Sequence, residues 1–308
     1  MTTTAHAPHS QSREDSRSNP RAFRPTLWGV AGRCVLAAAG MMACAMSPAL
    51  LEFVPGFTDW MTSLESQPLG PTLFFASLAT LTVPLLSAGV LLSIVVRFSR
   101  LSWRDILGHR TSGFSAGALL ATTAAAAVLT AAVIGILSAA GVDADRAADP
   151  GTAGVPLAAV VAIGLARAFL LQGIQEELWF RGVAFLGHKS RPWLVLGATT
   201  VAFTALHLTS TGGQQSTAET LLYLVLPLGM GFWAGVERLC TGSVWPAIGV
   251  HGGMHTGTII TALAGWPMGP GAWVGVGSAF VLAGLVRLMT TRIGGQRKAR
   301  RPLPIQFG

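Results

Sequence analysis

"QEELWFRG", residues 175–182, sets two adjacent carboxylates, Glu176 and Glu177, in a chain that otherwise reads as membrane. The stretch lies at the end of an apolar run that starts near residue 155. Only 13 of the 308 residues are acidic, and nearly all the others fall outside long apolar runs. The reading of these eight residues therefore depends on whether the surrounding chain spans a bilayer.

Composition decides that it does. Charged residues make up 11% of the chain and apolar ones 51%, with a mean hydropathy of +0.55. A soluble domain carries about 25% charge, and so much apolar surface cannot be hidden in a compact soluble fold. The class is an all-α, polytopic integral membrane protein. Eight runs are long enough to cross, near 27–51, 69–96, 113–141, 155–184, 192–208, 219–239, 243–264 and 271–290. Residues 1–26 are polar and Arg-rich and read as a disordered cytoplasmic tail. "ACA" at 43–45 resembles a cleavage site, but the apolar run before it is long for a signal peptide and further spans follow. Three spans follow the tail up to residue 154. The core segment is 155–258, and 259–308 holds the last span and a basic tail.

The charges give a direction. With the N-terminus inside, 18 of the 21 basic residues fall in cytoplasmic segments, among them Arg97, Arg100, Arg104, Arg181, Lys189, Arg191, Arg238 and Arg287. The expected outer loops, 52–68, 142–154, 209–218 and 265–270, hold only Arg146. This follows the positive-inside rule, puts both termini in the cytoplasm and places the chain in the cell membrane. The pI of about 10.9 thus reports orientation and not contact with nucleic acid. The stretch 97–110, "RFSRLSWRDILGHR", has the pattern of a surface-lying helix as well as that of a basic loop. Cys34, Cys44 and Cys240 show no paired spacing.

Ionisable groups within spans are costly, about 2.5–3.5 kcal/mol for a central charge on insertion scales. Here they gather in "EELWFR" (Glu176, Glu177, Arg181), "FTALH" (Phe203, His207) and "HGGMH" (His251, His255). Helical rise puts Glu176 roughly 18 Å, His207 roughly 22 Å, His251 about 12 Å and His255 about 18 Å from the cytoplasmic helix ends. The four side chains can then meet in one membrane cavity, expected to open to the cytoplasm. Glu177 and Arg181 are four apart, in the order that favours an ion pair, and Glu176 points about 100° away, free for chemistry. His251 and His255 share one face of their helix, and Gly249, Gly253 and Gly257 form a small-residue stripe on the other. Three histidines with a carboxylate also suit a zinc ion at Glu176, His207, His251 and His255, although the HExxH pattern is absent. Arg167, nine residues before Glu176, falls on the opposite face of an α-helix and is set outside the site. Trp233, Trp245 and Trp266 are placed near membrane borders.

The three segments, in order, match EExxxR, FxxxH and most of HxxxN. Over residues 155–258 the chain resembles the CPBP intramembrane proteases, also called the CAAX-processing or Abi family. The resemblance implies an endopeptidase acting on a peptide or protein at or in the membrane. It implies that Glu176 and His207 activate water, and that Glu177 and Arg181 stabilise the motif helix. His251 takes the place of the third-motif histidine. That residue and the following Asn are thought to stabilise the oxyanion or bind metal, and this chain has His255 where Asn is usual. Metalloprotease and glutamate-type mechanisms both stay open. Two readings from other classes stand beside the peptidase: a non-catalytic bacteriocin-immunity or assembly factor reusing the fold, and a proton or ion carrier. The carrier is disfavoured by the lack of paired broken helices in two halves.

Overall fold

The computed structural model describes residues 26–65, 71–108, 114–146, 155–210 and 212–299, and all regular elements among them are helical. α1 (Leu27–Met46) continues into a 3-10 segment, Ser47–Phe53, and α2 (Phe57–Glu65) occupies the expected first outer loop. α3 (Pro71–Ser99), α4 (Trp103–Leu107) and α5 (Ala116–Ala139) follow. α6 (Leu157–Ala166), a π-helical turn (Arg167–Gly173), α7 (Ile174–Glu177) and a second π turn (Leu178–Val183) form one continuous helix. α8 (Pro192–Leu206) ends in a 3-10 turn, His207–Thr209; then come α9 (Thr217–Tyr223), α10 (Val225–Thr241), α11 (Trp245–Leu263) and α12 (Pro270–Ala299). The expected polar tail up to residue 25 lies outside the described residues, as does the end of the basic tail from 300 onward.

Helices form because an apolar run in lipid must satisfy its own backbone. Local signals set their ends. Ser115 Oγ accepts from Ala118 N at 3.2 Å to start α5, and Gly242, at φ 70°, stops α10. Lipid-type side chains such as Leu120, Val128 and Ile136 are exposed on the outside, whereas Glu177, Arg181, Glu237 and Arg238 are buried. The polar groups face inward, as expected where the solvent is hydrocarbon.

Seven helices are long and apolar enough to cross a membrane. The eighth expected span corresponds to α11, 19 residues long, whose histidines and glycines dilute its apolarity. Its direction nevertheless requires a crossing. Gly249 packs on Thr122 and Gly257 on Thr130, so α11 runs parallel to α5; Gly275 packs on Leu137 and Val133 near the end of α5, so α12 runs antiparallel to α5. Gly229 meets Gly277 and Trp233 meets Gly284, which makes α10 parallel to α12. α11 therefore runs against both its chain neighbours.

Several expectations change. Arg181 is not a loop charge: it is wholly buried and paired with Glu177. Arg238 is buried as well, and Arg287 pairs with Glu237 at 3.0 Å. Hydropathy counting assigns such residues to loops because it cannot see an internal partner. Trp233 is no border residue either; it is buried, with its indole N–H donated to Glu237 at 3.4 Å and its ring against Phe280. Of the 97–110 stretch, residues 97–108 are described, and they form no single surface helix. α3 continues through Ser99, and α4 buries Ile106 against Gly182.

Candidate active site

The site begins with the two π turns. The amide of Ile174 bonds to Phe169 O five residues back, and that of Ala184 to Trp179 O at 2.9 Å. A Cβ on residue 173 would meet Ala168 O at 2.6 Å, so glycine permits the first turn. π turns within α-helices are often found at functional sites. A π residue advances the helix by less than the about 100° of an α residue. The drift returns Arg167 to the side of Glu176, and both line the same cavity. The exclusion of Arg167 from the site is thereby corrected: it assumed an unbroken α-helix.

Arg181 anchors the floor. Its Nε lies 3.2 Å from Glu177 Oε2 and its Nη1 donates to Glu177 Oε1 at 3.3 Å. Nη2 donates to Gly231 O at 2.7 Å, and the guanidinium lies 4.7 Å from the centre of the Phe203 ring. A Cβ on Gly231 would lie 3.0 Å from Nη2, so glycine leaves room for the arginine. Phe203 thus supports the guanidinium on one face, and its ring lies 4.7 Å from that of His207.

Glu177 has a second partner that spacing did not reveal. Its Oε1 lies 3.0 Å from His251 Nδ1, across from α7 to α11. A carboxylate in an ion pair accepts, so His251 donates from Nδ1 and its other nitrogen, Nε2, is left for the cavity side. Nε2 lies 4.0 Å from Glu176 Oε2. That is too long for a hydrogen bond and within reach of one bridging water. Glu176 Oε2 is buried without a partner. His207 Nδ1 lies 2.9 Å from Phe203 O, to which it must donate, so its Nε2 carries the lone pair. His255 stacks on His251, centroids 5.2 Å apart and planes 29° from parallel.

Glu176, His207, His251 and His255 line one cavity of about 370 Å³. Among the described residues no three His, Cys, Asp or Glu side chains are grouped to hold a metal ion. With Nδ1 donating to Phe203 O and to Glu177 Oε1 respectively, His207 and His251 each keep Nε2 for the cavity.

The cavity also includes residues that sequence reading missed. Tyr223, the chain's sole tyrosine, lines it from α9, its ring edge-on to Trp273 at 5.5 Å. Met41 and Met42 contribute from α1, outside the motif region. No spacing signal pointed to these; their position depends on which helices become neighbours. Of the exposed lining residues, Met42, Ala45 and Thr209 lie at the far ends of α1 and α8, and Arg167 lies midway along the helix that carries Glu176. Lys189 and Arg191 precede the other end of α8. Met42, Ala45 and Thr209 open the cavity at the end of the bundle opposite Lys189 and Arg191. A depth of roughly 18–22 Å from the basic end already lies beyond the middle of a core about 30 Å thick.

Comparison with known proteins fits this geometry. No curated protein and no solved structure matches the chain. The family model of the Rce1-like type II CAAX prenyl endopeptidases matches residues 158–257, a range that holds Arg167, the Glu176–Glu177–Arg181 segment, His207, His251 and His255. Over residues 158–257, about a third of its length, the chain is similar to the CAAX-protease family.

Proposed function

We propose that this protein is an intramembrane endopeptidase in which Glu176 is the general base. The observation that carries the reading is an unpartnered buried carboxylate oxygen 4.0 Å from His251 Nε2, in a cavity shared with two further histidines. Glu176 takes a proton from water as the water attacks the peptide carbonyl, and returns it to the leaving amine. His207 accepts a hydrogen bond from the same water through Nε2. His251, held between Glu177 and Glu176, faces the oxyanion together with His255. Glu177 positions His251 and fixes its tautomer, as a carboxylate does in a catalytic triad.

The substrate is a peptide segment at or in the bilayer. The termini lie on the cytoplasmic side with the basic residues, and the cavity mouth faces outward across the cell membrane. Glu176→Gln tests the reading: cleavage of a peptide panel in detergent should fall at least ~100-fold, with thermal stability maintained because an amide is easier to bury than a carboxylate. Normal cleavage by Glu176→Gln would leave the non-catalytic immunity or assembly role as the better account.

A further inference from the structure

Two clefts adjoin at the basic end of the bundle, away from the cavity described above. The first, of about 260 Å³, is lined by Arg104, Asp105, His188, Lys189 and Arg238. The second, of about 430 Å³, is lined by Pro192, Trp193, Leu239, Cys240 and Leu288. They share His188, Lys189 and Gly242, so a compartment lined by four charged side chains adjoins a more apolar one.

The charged compartment is made where helix ends converge. Gly108, Gly187 and Gly242 line it, all at positive φ, where the chain turns out of α4, the second π turn and α10. Such ends present carbonyls, and a cation could be there only to offset them. Arg238 does so: Nη1 donates to Leu107 O and Gly242 O, and Nη2 to Ile106 O and Asp105 O, at 2.7 to 3.2 Å. Its buried Nε keeps no partner. Asp105 is also engaged, its Oδ2 accepting from Ser102 N and Oγ at 2.7 and 2.8 Å. Arg104 and Lys189, both exposed, add two further cations at the rim against that one occupied carboxylate. Among the described lining residues, cations outnumber carboxylates by three to one.

The apolar compartment runs between the basic ends of α8, α10 and α12, with Trp193 half-exposed at the first turn of α8. Tryptophan and lysine at one level mark the headgroup layer. We infer that the two compartments together bind one anionic phospholipid, its phosphate beside Arg104 and Lys189 and an acyl chain along Trp193, Leu239 and Leu288. A free anion would use only the first compartment, and an uncharged lipid only the second. Joined at Lys189, they fit a ligand with both parts.

The test uses the full chain in nanodiscs of phosphatidylcholine with a minority of phosphatidylglycerol, followed by native mass spectrometry of the released protein. The intact protein should retain one phosphatidylglycerol. Arg104→Gln with Lys189→Gln should lower that retention at least ten-fold, whereas Arg104→Lys with Lys189→Arg should keep it. Leu288→Trp, which fills the groove and leaves the charges, should also lower it. Melting temperatures measured in detergent identify any variant that fails to fold, and the charge-conserving pair then carries the comparison. Equal retention by the Gln pair and by Leu288→Trp would overturn the inference. So would displacement of the lipid by millimolar inorganic phosphate, which would mark an ion site alone. Glu176→Gln should retain the lipid like the unchanged protein, so this reading and the peptidase reading fail separately.

Discussion

Glu177 touches two helices at once: Oε1 lies 3.0 Å from His251 Nδ1 on α11, while Oε2 lies 3.2 Å from Arg181 Nε on its own helix. The adjacent carboxylates therefore differ in what they hold. Glu177 binds a cation and an imidazole in the interior, and Glu176 keeps a free oxygen at the cavity.

Glu177→Gln should therefore show damage to both folding and turnover. The amide leaves the Arg181 charge buried with only Gly231 O and an aromatic face, a loss of about 3–5 kcal/mol for a broken buried pair. Thermal melts in detergent should show it, alongside cleavage assays of the fraction that stays folded. A melt unchanged from the unmodified protein would remove the pair from the account of stability.

Gly253→Val should be among the most damaging changes on α11. A Cβ there would lie 2.4 Å from Thr123 O of α5, a backbone atom that cannot move aside. Overpacking costs about 1–3 kcal/mol. Gly197→Ala makes a matched control, since nothing lies within 4 Å of its added Cβ. Equal melting temperatures for the two variants would contradict the packing described.

His255→Asn and His255→Ala separate a hydrogen-bond role from mere occupancy. Asn can still donate toward an oxyanion, and the resemblance to HxxxN makes it the family's residue. Cleavage by the Asn variant should stay near that of the unchanged chain, whereas Ala should lose about 100-fold, the cost of one oxyanion donor. Equal activity of the two variants would assign His255 to packing on His251.

Sidedness can be read with single cysteines in a Cys240→Ser background, because Cys34 and Cys44 are buried. Thr209→Cys, at the cavity mouth, should react with a membrane-impermeant maleimide added outside intact cells. Lys189→Cys should react only after permeabilisation. Labelling of both from the same side would refute the arrangement.

Much of the fold was legible because a bilayer imposes a length and an apolarity on each crossing. α1, α5, α8 and α12 lie close to their expected ranges for that reason. What was not legible depended on partners. Arg181, Arg238 and Arg287 have loop-type side chains, and only the neighbouring helices show that they are capped or paired within the protein. The site's four ionisable residues could be gathered from three short motifs. Arg167 could not, because its phase relative to Glu176 depends on π turns that no residue type specifies. Tyr223 carries no motif at all, and it is placed by α9 meeting α12 through Trp273.

The contact between α5 and α11 has a consequence for how the matched third of the chain can be reused. α11 carries both cavity histidines, yet its opposite face is seated on Thr122, Thr123 and Thr130 of α5, a helix outside residues 158–257. Likewise Trp179 of the motif helix lies against Gly40 of α1, so closely that a Cβ there would fall 2.4 Å from the ring. Residues 158–257 are thus not a transplantable module. A chimera joining them to foreign membrane helices must offer a shallow, small-residue track at three successive heights along α11 and a notch for one indole. Without both, the histidines and glutamates would lose their alignment even though every motif residue was present.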